Sequence, residues 1–299
     1  MTNRRLFVAA LSVAAAALAG AGALHAQAIQ RALYVSALTD AGAPLPDLAA
    51  ADLVVREDNI AREVLKVEPA TEPMQIAIMV DTSQGARDLI PHLRTALPPF
   101  VQTLTTGAVK HEVAIIAIGE RPTVFTNYTF SQIELKKGID RIWSMQGSGT
   151  YLLDGIIEVG QGFKKRGAQR PVIVALLSEG PEMSNRQHDQ VLESLAANHV
   201  AFHAITMGRP PTSLSDEARE RARVLDEAPR TSGGRREELL TPMALAAKLT
   251  QLADELTHQY KVTYARPQSL IPPERVTVTA ARPGITARGT LIKEEKAKP

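Results

Sequence analysis

The sequence predicts an α/β protein, a doubly wound and mostly parallel six-stranded sheet flanked by helices, with a small β-module built from the two ends of the chain. Three observations predict it. The runs Met74-Gln75-Ile76-Ala77-Ile78-Met79-Val80 and Val172-Ile173-Val174-Ala175-Leu176-Leu177 are almost continuously apolar, as strands covered on both faces require. From residue 74 onward such runs alternate with helical patterns, which is the order of a parallel sheet. The same runs end in oxygen-bearing loops, Asp81-Thr82-Ser83 and Ser178-Glu179-Gly180, at the carboxyl edge where α/β sheets place binding sites.

The first 28 residues read as an address. Arg4 and Arg5 precede an apolar stretch from Leu6 to Leu24, and Ala26-Gln27-Ala28 supplies a small-x-small cleavage site, so cleavage is expected after Ala28. The expected location is periplasmic or secreted. Left uncleaved, the same segment would be an N-terminal membrane anchor.

Residues 29–73 read as strands, with Leu33–Leu38, Leu53–Arg56 and Ala61–Val67 as the β-rich runs and Asp58-Asn59 as a hairpin turn. Pro69 and Pro73 mark the boundary with the main domain, 74–266. There, strands are expected near 74–81, 111–118, 123–128, 171–178, 200–206 and 260–265. Helices are expected over 86–106, 131–143, 150–166, 186–198, 214–227 and 242–258. Residues 208–241 are the polar exception, and Thr231-Ser232-Gly233-Gly234-Arg235-Arg236 reads as a flexible loop. Residues 267–292 turn to β again, with Val276-Thr277-Val278-Thr279 and a Pro283-Gly284 turn. Neither β-rich flank is long enough to fold alone, so the two are expected to pair. Residues 293–299 read as a frayed tail.

Composition excludes several functions. The 299-residue chain has no cysteine, which rules out disulfides, thiolate metal sites and a cysteine nucleophile. Removing residues 1–28 takes two of the 34 basic residues and no acid, leaving 32 against 32. The mature chain is formally neutral and has no Lys/Arg stripe with interleaved aromatics, so nucleic acid is not an expected partner. Beyond the leader, no segment is apolar enough to span a membrane.

Asp81, Ser83 and Gly85 follow the first core strand, Thr150 opens a helix after Gly147-Ser148-Gly149, and Glu179 follows the strand at 171–178. With these residues in this order, the chain resembles a von Willebrand factor type A domain carrying a metal-ion-dependent adhesion site. More narrowly it is similar to the secreted bacterial subfamily typified in Acidobacteria. That resemblance also covers Leu53-Val54-Val55-Arg56-Glu57-Asp58, Thr231-Ser232-Gly233-Gly234, Gln259-Tyr260-Lys261-Val262-Thr263-Tyr264 and Arg282-Pro283-Gly284.

The resemblance implies a site for Mg²⁺, or Mn²⁺ or Ca²⁺, held by Asp81, Ser83, Thr150 and Glu179. It also implies a protein ligand whose carboxylate completes the ion's shell. Hard divalent cations take oxygen ligands, and hydroxyls with few charges leave the ion electrophilic. Two departures make the site degenerate: Gly85 has no hydroxyl where the family has serine, and Glu179 is one carbon longer than the family's aspartate. The residues alone are equally read as helix caps, with Thr82 or Ser83 capping one helix, Thr150 starting another, and Asp81 and Glu179 pairing with Arg87 or another cation.

His199 and His203 are spaced i,i+4, but the intervening Val200-Ala201-Phe202 reads as strand, where four residues separate the rings too far for shared coordination. Ser148 lacks a nucleophile elbow, and Gly233-Gly234 lacks a phosphate-loop lysine. Trp143 is expected to pack at its helix end, and Tyr260 and Tyr264 to lie in the sheet. The resulting expectation is a non-enzymatic protein-binding module that engages its ligand at the top of the sheet. A metal-free scaffold of the cell envelope is the alternative, and a hydrolase is a third reading that no acid/base or nucleophile constellation favours.

Overall fold

The computed structural model describes residues 28–208, 215–267, 273 and 275–292. The expected leader, apart from Ala28, and the expected tail 293–299 lie outside them. The chain opens with strands β1 (Ala28–Thr39), β2 (Leu53–Glu57), β3 (Ile60–Arg62) and β4 (Val64–Pro69). Next come β5 (Gln75–Val80), helix α1 (Ile90–Thr106), β6 (Glu112–Ala117), β7 (Thr123–Thr129), α2 (Gln132–Asp140) and α3 (Leu152–Arg166). The alternation continues through β8 (Pro171–Ser178), α4 (His188–Ala197), β9 (Ala201–Met207), α5 (Asp216–Ser232), β10 (Arg236–Leu239) and α6 (Leu245–Thr257). Strands β11 (Tyr260–Pro267), β12 (Val276–Ala280) and β13 (Ile285–Leu291) follow.

The central sheet has six strands in the order β10-β9-β8-β5-β6-β7, parallel except for β7, which runs antiparallel to β6. All eight residues of β8 are buried, which explains its unbroken apolar sequence. Alternation along β5 serves two helical layers. Ile76, Ile78 and Val80 pack with α1, α2 and α6, whereas Ala77 and Met79 pack with α3, α4 and α5. Each fully buried aliphatic side chain contributes about 1.5–3 kcal/mol by leaving water. From β5 the chain moves first to β6 on one side and later to β8 on the other, so strand order reverses between β5 and β8. Open α/β sheets form their binding crevice above such a switch point.

The membership of the sheet differs from expectation at one edge. The segment expected as its sixth strand, near 260–265, is β11, which lies between β1 and β4 in a separate antiparallel sheet ordered β13-β1-β11-β4. Its burial alternates, with Tyr260, Val262 and Tyr264 inside and Lys261 and Thr263 less so, and a strand with one apolar face suits a one-sided sheet. Its place is taken by β10, from the polar stretch expected to be a loop. An edge strand tolerates Arg236 and Glu238, which pair with each other at 2.6 Å. Helix α5 also runs past its expected end to Ser232, where Gly233 stops it at φ 82°.

The two ends of the chain meet in the β-module: β1 pairs with β13, and β2 with β12. Asp58 and Asn59, with φ of 46° and 68°, turn β2 into β3, the positive pair a two-residue hairpin requires. The two small sheets enclose Leu33, Val35, Val55, Val262 and Tyr264. The Tyr264 hydroxyl donates to Glu57 Oε1 at 2.9 Å. Against the α/β domain, β13 packs on the end of α5: Thr290 Oγ1 donates to the Ser232 carbonyl at 2.7 Å, and a Cβ on Gly233 would stand 2.4 Å from the Gly289 oxygen.

Candidate functional site

The top of the sheet is the carboxyl edge of β5, β6, β8, β9 and β10. Asp81 leaves β5 there, its N–H donating to the Leu176 carbonyl of β8 at 2.9 Å. Asp81, Ser83 and Thr150 come together as the sequence predicts, and all three are buried. Asp81 Oδ1 accepts the Ser83 N–H at 2.8 Å. Its Oδ2 accepts Thr150 Oγ1 at 3.0 Å, the Ser178 N–H at 3.0 Å and the Ser178 hydroxyl. Oδ2 thus takes three donors and Oδ1 one. Thr150 Oγ1 lies 3.5 Å from Ser83 Oγ, and Thr82 turns the other way, its Oγ1 accepting the Gly119 N–H at 3.0 Å.

Gly85 is explained by close approach. A Cβ there would lie 3.0 Å from both Ser178 Oγ and Gly180 Cα, so the second serine of the family pattern would crowd the hydroxyl that Asp81 already holds. Glu179 does not join the cluster: a Cβ on Gly208 would meet its Cγ at 3.5 Å, which places its stem over the end of β9. Among the described residues, Glu179 makes no hydrogen bond to Asp81, Ser83 or Thr150, and neither acid pairs with Arg87. The oxygens gathered here are the hydroxyls of Ser83, Thr150 and Ser178 and the Asp81 carboxylate, whose Oδ2 is crowded by three donors while Oδ1 takes one. With Glu179 outside the cluster, a hard divalent ion would find a single acid where the family pattern supplies two.

Three contributors escaped the sequence reading. Ser178 stands in a quoted loop, but nothing in the sequence shows that its hydroxyl reaches Asp81, 97 positions away. Arg221 is buried on α5, donating Nη1 to the Gly180 carbonyl at 2.7 Å and Nη2 to the Ser178 carbonyl, and so fixes the β8 loop from beneath. The legible signal was its position on the apolar face, in step with Val224, Leu225 and Ala228. Glu182 is buried and caps α3 from outside: its Oε1 accepts the N–H of Leu152 at 3.1 Å, and Ser184 Oγ accepts that of Asp154 at 3.1 Å. These satisfy N–H groups that the first turn of a helix leaves unpaired, a task Tyr151 cannot perform locally.

Burial pushes the Glu182 carboxyl up to about 7, against the lowering influence of the Ser184 hydroxyl and Arg221. Because the folded value exceeds the unfolded one near 4.5, its contribution to stability is full below about 4.5 and is lost as pH rises through about 7. Glu182→Gln keeps the acceptor oxygen and removes the titration. Urea unfolding of both proteins should show the variant gaining on wild type by about 2–3 kcal/mol between pH 5 and pH 8. A constant difference across that range would mean Glu182 does not titrate there.

The two histidines do not share the expected strand: His199 stands in the turn before β9 at φ 52°. His203 is fully buried in β9, and burial holds its pKa down at about 4, with Glu255 pulling upward and Arg288 and Arg235 pushing downward. Among the described residues no group of three or more His, Cys, Asp or Glu could hold a metal ion, and no helix is long and apolar enough to cross a membrane. Tyr260 and Tyr264 are buried as expected. Trp143 is not: it is 55% exposed, because Ile142 takes the inward position beyond the helix end.

The family profile of the von Willebrand factor type A domain matches residues 75–227, just over half of the chain. Among solved structures, the chain is similar to a von Willebrand factor type A protein from Catenulispora acidiphila, with 15% identity, a TM-score of 0.50, and coverage of 91% of this chain and 74% of that one. It is also similar to proximal thread matrix protein 1 from the mussel byssus, with 14% identity and a TM-score of 0.50 over 64% of this chain. The match spans half the length of the byssus protein, and at these identities the likeness is one of fold. No curated protein matches the sequence. A mixed six-stranded sheet, the Asp81–Ser83–Thr150 cluster at its switch point and the profile match agree, and the chain belongs to the von Willebrand factor type A domain family.

Proposed function

We propose that the chain is a secreted or periplasmic protein-interaction module that engages its partner at the top of the central sheet without a resident cation. Domains of this family are generally non-enzymatic interaction modules, often with a divalent metal at the top of the sheet. The observation that carries the metal-free reading is the crowding of Asp81 Oδ2 by three donors: a cation at that oxygen would have to displace the hydroxyls of Thr150 and Ser178 from it. Arg4, Arg5, the apolar stretch after them and Ala26-Gln27-Ala28 support export. Exposed Met183, Leu240 and Met243 on the loops of this edge support contact with a protein, since large apolar side chains left in solvent on one edge suit an interaction surface.

The test combines melting with capture. A cation that binds only the native state raises stability by mass action, so millimolar Mg²⁺ or Mn²⁺ against chelator should leave the melting temperature unchanged. Capture from an envelope extract should persist in chelator and be lost in the Met183→Glu, Leu240→Glu variant. A cation-dependent rise in melting temperature sinks the metal-free reading, and undiminished capture by the variant sinks the top face.

A further inference from the structure

We propose that the outer edge of the central sheet, strand β7, takes an extended acidic segment of a protein partner as a seventh strand. This surface is separate from the top of the sheet and owes nothing to the reading of that face. β7 is the last strand of the order β10-β9-β8-β5-β6-β7, and among the described residues no strand pairs with its outer side. An edge strand carries a row of backbone N–H and C=O groups to which another chain can pair.

Two exposed cations bracket this edge, one on each face of the sheet. Phe125 turns toward the layer of α1, α2 and α6, and Tyr128 toward that of α3, α4 and α5. Arg141, just past α2, lies with its guanidinium carbon 4.9 Å from the Phe125 ring centroid and donates Nη1 to the Phe125 carbonyl at 3.2 Å. Arg166, at the end of α3, lies 4.5 Å over the Tyr128 ring and donates Nη2 to Asn127 Oδ1 at 2.9 Å. Stacking and one hydrogen bond hold each planar guanidinium in place and leave most of its N–H groups unspent. Among the described residues neither is in an ion pair, and the acids beside them are engaged: Asp140 with Lys136 at 2.7 Å, and Glu112 with Gln75 at 2.8 Å. Two copies of the chain joined edge to edge would set these guanidiniums against each other, so the complement is an acidic strand rather than a second β7.

The spacing of the two cations defines the segment. Residues directly opposite across two paired strands share a face, so the incoming residues beside Phe125 and Tyr128 point to opposite faces and carry the acids. A strand acidic at positions i and i+3 meets both guanidiniums in either chain direction, in the charge-assisted pairing that arginine makes with carboxylates. Val124 and Phe130, 54% and 59% exposed, stand at the two ends of this edge, with Ile133 70% exposed in the first turn of α2. Apolar residues at both ends of the acidic segment complement them.

The probe is a fluorescein-labelled, β-prone peptide with two Glu residues three positions apart and Val at each end of that stretch, compared with its Gln and Lys versions by anisotropy against the purified full chain. The Glu peptide should bind about tenfold tighter than the Gln peptide and lose that margin at high salt, with the Lys peptide weakest. Arg141→Glu with Arg166→Glu should reverse the order, and Arg141→Gln with Arg166→Gln should flatten it, thermal melting showing that both variants are folded. N-methylation of the peptide at alternate backbone positions reads strand addition: the phase facing β7 should abolish binding and the other should leave it intact. No binding of the Glu peptide, a Glu preference that survives the charge reversal, or equal binding of the two N-methylated phases overturns the proposal. A dimer of the chain in sedimentation that the Arg141 and Arg166 variants alter would assign the edge to a second copy and overturn it as well.

Discussion

Replacing Asp81 with alanine is expected to lower the unfolding free energy by about 4 kcal/mol in chelator, a fall of about 10 °C in melting temperature. The change strips the acceptor from two backbone N–H groups and two hydroxyls inside a site that water does not reach. Each buried donor left without a partner costs about 1–3 kcal/mol, and relaxation of the loops recovers part of the sum. The loss has a further structural consequence, since Asp81 ties the ends of β5 and β8 to Thr150 at the start of α3. Alanine that melts with wild type in chelator would show that these hydrogen bonds contribute nothing to stability, and urea unfolding of the two proteins measures the difference.

The second large effect lies where the β-module meets the α/β domain. Glu255 of α6 is buried, with Arg288 Nη2 of β13 at 2.6 Å from Oε1 and Arg235 Nε at 3.5 Å from Oε2. Burial opposes its ionisation, but His203, Arg288 and Arg235 outweigh it and hold its pKa below the usual value. Glu255→Ala leaves two largely buried guanidinium groups facing each other without their shared anion, and is expected to cost about 3–5 kcal/mol. Limited proteolysis should then cut first between the two units, if β13 lifts from α5. A variant as stable as wild type would show that the arginines find water.

Acid acts on the same joint. A group whose folded pKa is depressed stabilises above its unfolded value and loses that contribution as pH falls through the folded one. His203, held near 4 against 6.5, and Glu255, also lowered, both follow that sign. His203 therefore withdraws stability from about pH 6.5 downward, against the gain from Glu182 over the same range, and because Glu255 holds the His203 pKa up, Glu255→Ala should enlarge the His203 loss in urea unfolding between pH 7 and pH 5.

Much of the fold was legible because its signals are local. The unbroken apolar runs of β5, β8 and β9 announce strands buried on both faces, and the Asp58-Asn59 pair announces the hairpin, since each follows from periodicity or from backbone preference at adjacent positions. The edges were not legible. Arg236–Leu239 carries no apolar signal because an edge strand has one neighbour and open solvent, and Tyr260–Pro267 forms a strand whose sheet is chosen by which partners, β1 and β4, stand within reach.

The site divides along the same line. The sequence by itself determined that Asp81, Ser83 and Thr150 would share the carboxyl edge, because strand order and loop position place them there. It also marked Gly85 and Glu179 as departures from the family pattern. Only the tertiary structure decided what the departures mean. Ser178 fills the space in front of Gly85 and completes the shell of Asp81, Glu179 leans over Gly208, and Arg221 and Glu182 brace the loop from helices distant in sequence. The donors around the buried Asp81 carboxylate are brought together across 97 positions of chain, and no pattern along the chain encodes that distance.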